Sequence, residues 1–236
     1  MCDKIEFKTI FEQKKYVHLD GFLHLDSCQE LTKELKNLVN QKKTSQDAQC
    51  PLSEAIHGAA AFDKLLVDLL PAFEEASGKR LYPTYSYARL YSPNDELKNH
   101  TDRESCEISA TITLGFDGNV WPIYMGNADK SESNQINMNV GDAVLYRGME
   151  VNHWRKKYSE GKWQAQVFLH YVDADGPNSE WKFDKRKSLN LPQEQIDYQQ
   201  WIYTDIFTED ACAKIIATYE QEFVKKLPPT IGTGTG

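Results

Sequence analysis

His100-Thr101-Asp102 places an imidazole and a carboxylate two positions apart, just after a stretch that alternates like a strand. Both side chains can therefore reach one metal ion. A third ligand must come from far along the chain, and His153 supplies it in the run Val151-Asn152-His153-Trp154. Two imidazoles and one carboxylate on one side of an ion leave the opposite positions open to small ligands. A lone His-x-Asp pair is a weak signal. The same pair with a distant His, and β-type sequence between, reads as a metal site.

The elements that must position these residues follow from periodicity. Tyr85, Tyr87, Arg89 and Tyr91 fall on one face of an extended stretch; Ser86, Ala88 and Leu90 fall on the other. Ser92-Pro93-Asn94-Asp95 is a turn. Residues 108–116 form an Ile- and Thr-rich strand, and Asp117-Gly118-Asn119 reads as a hairpin into a third strand at 120–124. A polar loop spans 127–134. Strands at 135–140 and 143–146 flank the turn Gly141-Asp142, and 163–172 is the last clear strand. Several short strands between turn signals predict a sandwich or barrel, and the mouth of a small barrel suits a metal site.

Helices come first. After an extended lead-in at 16–25, Asp26 or Ser27 caps a helix whose Leu31, Leu35, Leu38 and Val39 share a stripe. Residues 41–49 are a polar loop. A second helix over 59–76 is interrupted by Pro71 and stopped by Gly78. The fold class expected is α+β, mainly β. It is a double-stranded β-helix (jelly-roll, cupin-like) barrel with N-terminal helices packed outside and a C-terminal helical extension.

Beyond Asp173 the texture changes. A short helix is expected at 192–201. Thr208 caps another in which Cys212, Ile215, Ile216, Tyr219 and Phe223 share a face. One domain over 1–185 and an extension over 186–236 are expected. The spacing of Phe22, Asp26, Cys28 and Leu31 recurs at one constant offset in Ile206, Asp210, Cys212 and Ile215, so the extension can be the start of a second, truncated domain.

Composition bounds the function. The chain has 236 residues and a net charge of −8, which argues against a broad nucleic-acid-binding face. The five cysteines are odd in number and form no Cys-x-x-Cys pair, as expected of reduced thiols. Residues 1–15 carry no apolar run fit for secretion, and no stretch is long enough to span a membrane. A soluble, cytoplasmic protein is expected, with its oligomeric state left open.

His100, Asp102 and His153 on this strand pattern resemble the 2-oxoglutarate- and Fe(II)-dependent dioxygenases, in particular the prolyl 4-hydroxylase-like branch. Gly21-Phe22-Leu23 leading to Cys28 resembles that branch's start. Leu90-Tyr91-Ser92-Pro93 resembles its approach to the metal. Gly141-Asp142-Ala143-Val144-Leu145-Tyr146 resembles the turn and strand before its distal His. The likeness covers about residues 16–175. It implies Fe(II) held by His100, Asp102 and His153, with 2-oxoglutarate and O₂ as cosubstrates and ascorbate as an accessory. It implies a hydroxylase acting on peptidyl proline, with a free amino acid, another small molecule or a nucleobase left open.

The far carboxylate of 2-oxoglutarate needs a buried cation, because a buried carboxylate is costly unpaired. The resemblance puts it shortly after the distal His, where Gly161-Lys162-Trp163 makes Lys162 the first choice. Another strand register puts Gln164 there, and Arg89 on the first strand then supplies the charge. The family's usual Arg-x-Ser is missing. Tyr91 resembles a tyrosine that contacts 2-oxoglutarate, or is a packed aromatic. Arg155 is a candidate contact for substrate or for a carboxylate behind the ligands; Arg103, Glu104 and Glu107 are candidates around the first two ligands. His170 is expected to pack with a hydrogen bond; His18, His24 and His57 read as ordinary. The competing reading is a non-oxidative cupin-like metalloprotein, an isomerase, hydrolase or binding module.

Overall fold

The computed structural model describes residues 2–126 and 132–191, all within one compact unit. The helices expected at 192–201 and 208–226, and the repeated spacing near Ile206, lie outside the described residues. Among the described residues no helix is long and apolar enough to cross a membrane.

Two antiparallel sheets make the barrel. The larger holds, in spatial order, β1 (Tyr16–Leu19), β8 (Ala143–Arg147), β5 (Ile108–Phe116), β10 (Gln164–Asp173), β3 (Leu81–Tyr91) and β2 (Glu54–His57). The smaller holds β4 (Leu97–His100), β9 (Asn152–Arg155), β6 (Ile123–Gly126) and β7 (Ser133–Ile136). This is the expected jelly roll. The outer face of the large sheet is covered by helices, so β5 and β10 are buried on both faces. Their inward residues are nevertheless polar: on the interior face, Thr111 and Thr113 of β5 hydrogen-bond Gln166 of the adjacent β10.

Four α-helices lie before β3, interleaved with β1 and β2: α1 (Cys2–Lys14), α2 (Leu25–Asn40), α3 (Ala60–Asp68) and α4 (Leu70–Ser77). Periodicity did not announce α1. In α2 the buried stripe is Cys28, Thr32, Leu35 and Leu38. The helix starts one residue before Asp26, with His24 at the cap and no side-chain cap hydrogen bond, so neither Asp26 nor Ser27 caps it. Pro71 splits the second expected helix into α3 and α4, at a first-turn position where its missing N–H costs nothing. Gly78 ends α4 in the left-handed region at φ 68°.

The hairpin expected at Asp117-Gly118-Asn119 does not form. Gly118 does turn the chain, with φ 98°, but β5 pairs with β8 and β10 while β6 pairs with β7 and β9. The turn carries the chain from one sheet to the other. Pro122 delays the next strand, so β6 begins at Ile123 rather than at residue 120. Residues 186–191 remain on the first unit. Arg186 donates to the Thr84 carbonyl, and the Asn190 amide donates to Asp63.

Candidate metal centre

His100 ends β4 directly across from His153 on β9. Each imidazole is fixed by its own main chain. His100 Nδ1 lies 2.8 Å from the Lys98 carbonyl, and His153 Nδ1 lies 3.0 Å from the Val151 carbonyl. A carbonyl only accepts, so each Nδ1 carries a proton and each Nε2 offers its lone pair. Asp102 Oδ1 stands 3.6 Å from His100 Nε2 and 3.5 Å from His153 Nε2. Metal ligands at about 2.1 Å on neighbouring octahedral corners are about 3 Å apart, so Asp102 Oδ1 need approach each imidazole by only about half an ångström. Three acceptors turned to one point are the arrangement a cation satisfies.

The loop after β4 is shaped for Asp102. Its amide donates to the Gly148 carbonyl at 2.8 Å. Only glycine fits at 148: a Cβ there would lie 2.1 Å from the Cys106 carbonyl and 2.6 Å from Asp102 Oδ2. Ser109 Oγ sits 3.3 Å from Asp102 Oδ2 and shares a 2.8 Å hydrogen bond with His170 Nδ1.

Electrostatics favour metal binding. Burial, then the neighbouring His153, pushes His100 below its ordinary value and favours the neutral, ligating imidazole. Burial pushes Asp102 up, but the surrounding histidines, His153 first, outweigh this and hold the carboxyl below its usual range. Burial drives His170 down to about 4, so it stays neutral at physiological pH.

The centre opens into a cavity of about 300 Å³. Asp47 and Gln49, from a loop that reads only as polar sequence, form part of its wall. Arg89 is 2% exposed and lines the same cavity. Its Nη2 pairs with Asp47 at 2.5 Å and donates to Gln49 at 3.0 Å; its Nη1 reaches the Tyr91 hydroxyl at 3.3 Å. Tyr91 is fully buried and meets Trp121 edge-on at 4.9 Å.

Gln164 pairs with Tyr91 across β10 and β3, buried, its amide donating to Gln166 while its Oε1 has no partner. Arg155 is fully buried on β9, its Nη1 donating to the Trp121 carbonyl, and burial pushes it down to about 10, still cationic. Lys162 is not brought to the centre. It stands on the loop before β10, its side chain 84% exposed and 4.0 Å from Asp117. The loop after β9 is long enough that Gln164, not Lys162, is the first residue to turn into the barrel.

No family model matches the chain, and no curated protein matches it by sequence. Solved structures do. A prolyl-4-hydroxylase from Pseudomonas putida superposes with a TM-score of 0.58 at 15% identity, over 72% of this chain and 98% of that one. HygX from Streptomyces hygroscopicus, with nickel and 2-oxoglutarate bound, gives 0.59 at 13% identity, over 72% and 87%. A prolyl hydroxylase from Trichoplax adhaerens, in complex with a hypoxia inducible factor oxygen degradation domain peptide, gives 0.60 at 13% identity, over 73% and 90%. The chain has the fold of the 2-oxoglutarate- and Fe(II)-dependent oxygenases, with prolyl hydroxylases among its structural neighbours.

Proposed function

We propose that this chain is an Fe(II)- and 2-oxoglutarate-dependent oxygenase of the hydroxylase type, its activity residing in residues 1–185. The observation that carries this is the convergence of His100 Nε2, Asp102 Oδ1 and His153 Nε2 at a cavity mouth in this fold. When bound, the metal would activate O₂ as the oxidant, with 2-oxoglutarate oxidised to succinate alongside the substrate, chemistry that no side chain supplies. The chain supplies placement. His100, Asp102 and His153 would hold iron, their three ligand atoms coming from one side of the cavity. Arg89 lines the cavity in which the cosubstrate would lie, and Tyr91 and Gln164 are buried behind it. Neutral His170, through Ser109, keeps the free oxygen of Asp102 oriented.

Peptidyl proline is the first substrate class to test, supported by the two prolyl hydroxylases among the structural neighbours. Purified chain is supplied with Fe(II), 2-oxoglutarate, O₂ and ascorbate, and succinate release is scored over proline-containing peptides, other peptides and small molecules. The reading expects succinate, with a substrate that raises its yield. A zinc or manganese isomerase or hydrolase would form no succinate under any of these conditions.

A further inference from the structure

Tyr85 of β3, His170 of β10 and Ser109 of β5 are register partners in one row across the large sheet. Cys106 closes a single 3₁₀ turn at Glu104–Cys106, between Asp102 and β5. That turn lays its thiol against the row. Cys106 Sγ is 3.1 Å from the Tyr85 hydroxyl, and Ser109 Oγ donates to the Cys106 carbonyl at 3.0 Å. His170 is 6% exposed and Cys106 3%, yet both line the metal cavity together with Tyr85 and Asp102.

Three kinds of metal donor meet here. Cys106 Sγ, a ring nitrogen of His170 and a carboxylate oxygen of Asp102 lie within 4.8 Å of one another. Zinc ligands at about 2.0–2.3 Å on tetrahedral corners are about 3.3–3.8 Å apart, so movements of about 1 Å close the set. Asp102 can serve two seats. Its Oδ1 faces His100 and His153, while its Oδ2 lies toward Ser109, which also contacts His170. Both oxygens of a carboxylate carry lone pairs, so it can bridge. The two donor sets differ in character. Two imidazoles and a carboxylate suit Fe(II), whereas a thiolate favours Zn(II). The other buried free thiols, Cys28 and Cys50, join no such set among the described residues.

We infer that Asp102, Cys106 and His170 form a second metal seat, joined to the first through Asp102 and suited to Zn(II) by its thiolate. On binding, the Cys106 thiol gives its proton to solvent and the thiolate takes the metal. The seat is independent of the oxygenase reading, since neither His100 nor His153 takes part in it.

The test is absorption spectroscopy of the full chain titrated with Co(II), a coloured stand-in for Zn(II). Wild type is expected to develop a near-ultraviolet sulfur-to-metal charge-transfer band, which Zn(II) then abolishes by displacement. The band is expected to be lost in Cys106→Ser and in Cys106→Ala, two variants of different polarity at a buried position. Removing a different ligand with His170→Gln is expected to weaken the Co(II) affinity read from the band by about tenfold or more. The double variant His100→Ala with His153→Ala, and Cys50→Ser, are each expected to keep the band. No band in wild type, or a band undiminished in both Cys106 variants, overturns the inference, and either result leaves the first metal site untouched.

Discussion

Gln49 Nε2 lies 3.1 Å from His100 Nε2, the nitrogen that also faces Asp102. Arg89 orients this amide by donating to Gln49 Oε1 at 3.0 Å, which turns the NH₂ toward the imidazole lone pair. A metal on His100 must take that lone pair, so the contact has to give way. Gln49→Ala is expected to bind Mn(II) about two- to tenfold more tightly, the equivalent of one ordinary hydrogen bond of ~0.5–1.5 kcal/mol. Calorimetry measures it; equal or weaker binding would show that Gln49 does not compete with the metal.

The close approach at Gly148 yields a second expectation. An added methyl would press on the Cys106 carbonyl and on Asp102 Oδ2 together. Gly148→Ala should cost about 1–3 kcal/mol, the usual range for overpacking. At this chain length that is a fall of roughly 2–4 °C in Tm per kcal/mol. Metal affinity should fall with it, because Asp102 is displaced. A variant that melts like wild type and holds metal equally well contradicts the described loop.

Stability should depend on pH through His170. Burial drives its pKa from an ordinary 6.5 to about 4, with Asp102 acting in the opposite sense. Between those values the unfolded chain binds a proton that the folded chain refuses. The contribution is therefore complete above pH 6.5 and is lost as pH falls toward 4, by at most ~3 kcal/mol. His57 and His100, also lowered chiefly by burial, add in the same direction. Thermal melts of the metal-free chain from pH 7.5 to 4.5 should show Tm falling, and His170→Gln should flatten the slope. An identical slope in that variant would remove His170 as the cause.

The long strands were legible because alternation is strong where one face meets helices and the other a polar interior. Tyr85, Tyr87 and Arg89 were placed on one face from sequence, and all three line the metal cavity. Short strands of four residues, such as β2, β4 and β9, carry too few positions for a period to register. The turn at Gly118 was read correctly as a turn, but local sequence does not say whether a turn closes a hairpin or changes sheets. Asp47 and Gln49 were invisible, since a polar loop that folds over a cavity has the same composition as one in solvent. The Thr111 and Thr113 alternation on β5 was the available sign that the barrel interior is polar. Spacing from His153 pointed to Lys162, but loop length decides which residue first turns inward, and spacing alone does not contain it.

Lys162 provides a direct check on that last point. Its ammonium is in solvent beside Asp117, where an exposed pair contributes about 0–1 kcal/mol. Lys162→Ala is expected to change the dependence of turnover on 2-oxoglutarate by less than about twofold. A rise of tenfold or more in the apparent KM would return the anchoring role to this loop.

If His100, Asp102 and His153 form one metal site, 2-oxoglutarate binds through the metal they hold. Anaerobic calorimetric titration of 2-oxoglutarate into the Fe(II)-loaded chain, the metal-free chain and Asp102→Ala measures this. One molecule per chain should bind the Fe(II)-loaded wild type, with no measurable binding to the metal-free chain or to Asp102→Ala. Equal binding in all three, or none to the Fe(II)-loaded wild type, would show that the three residues do not form such a site.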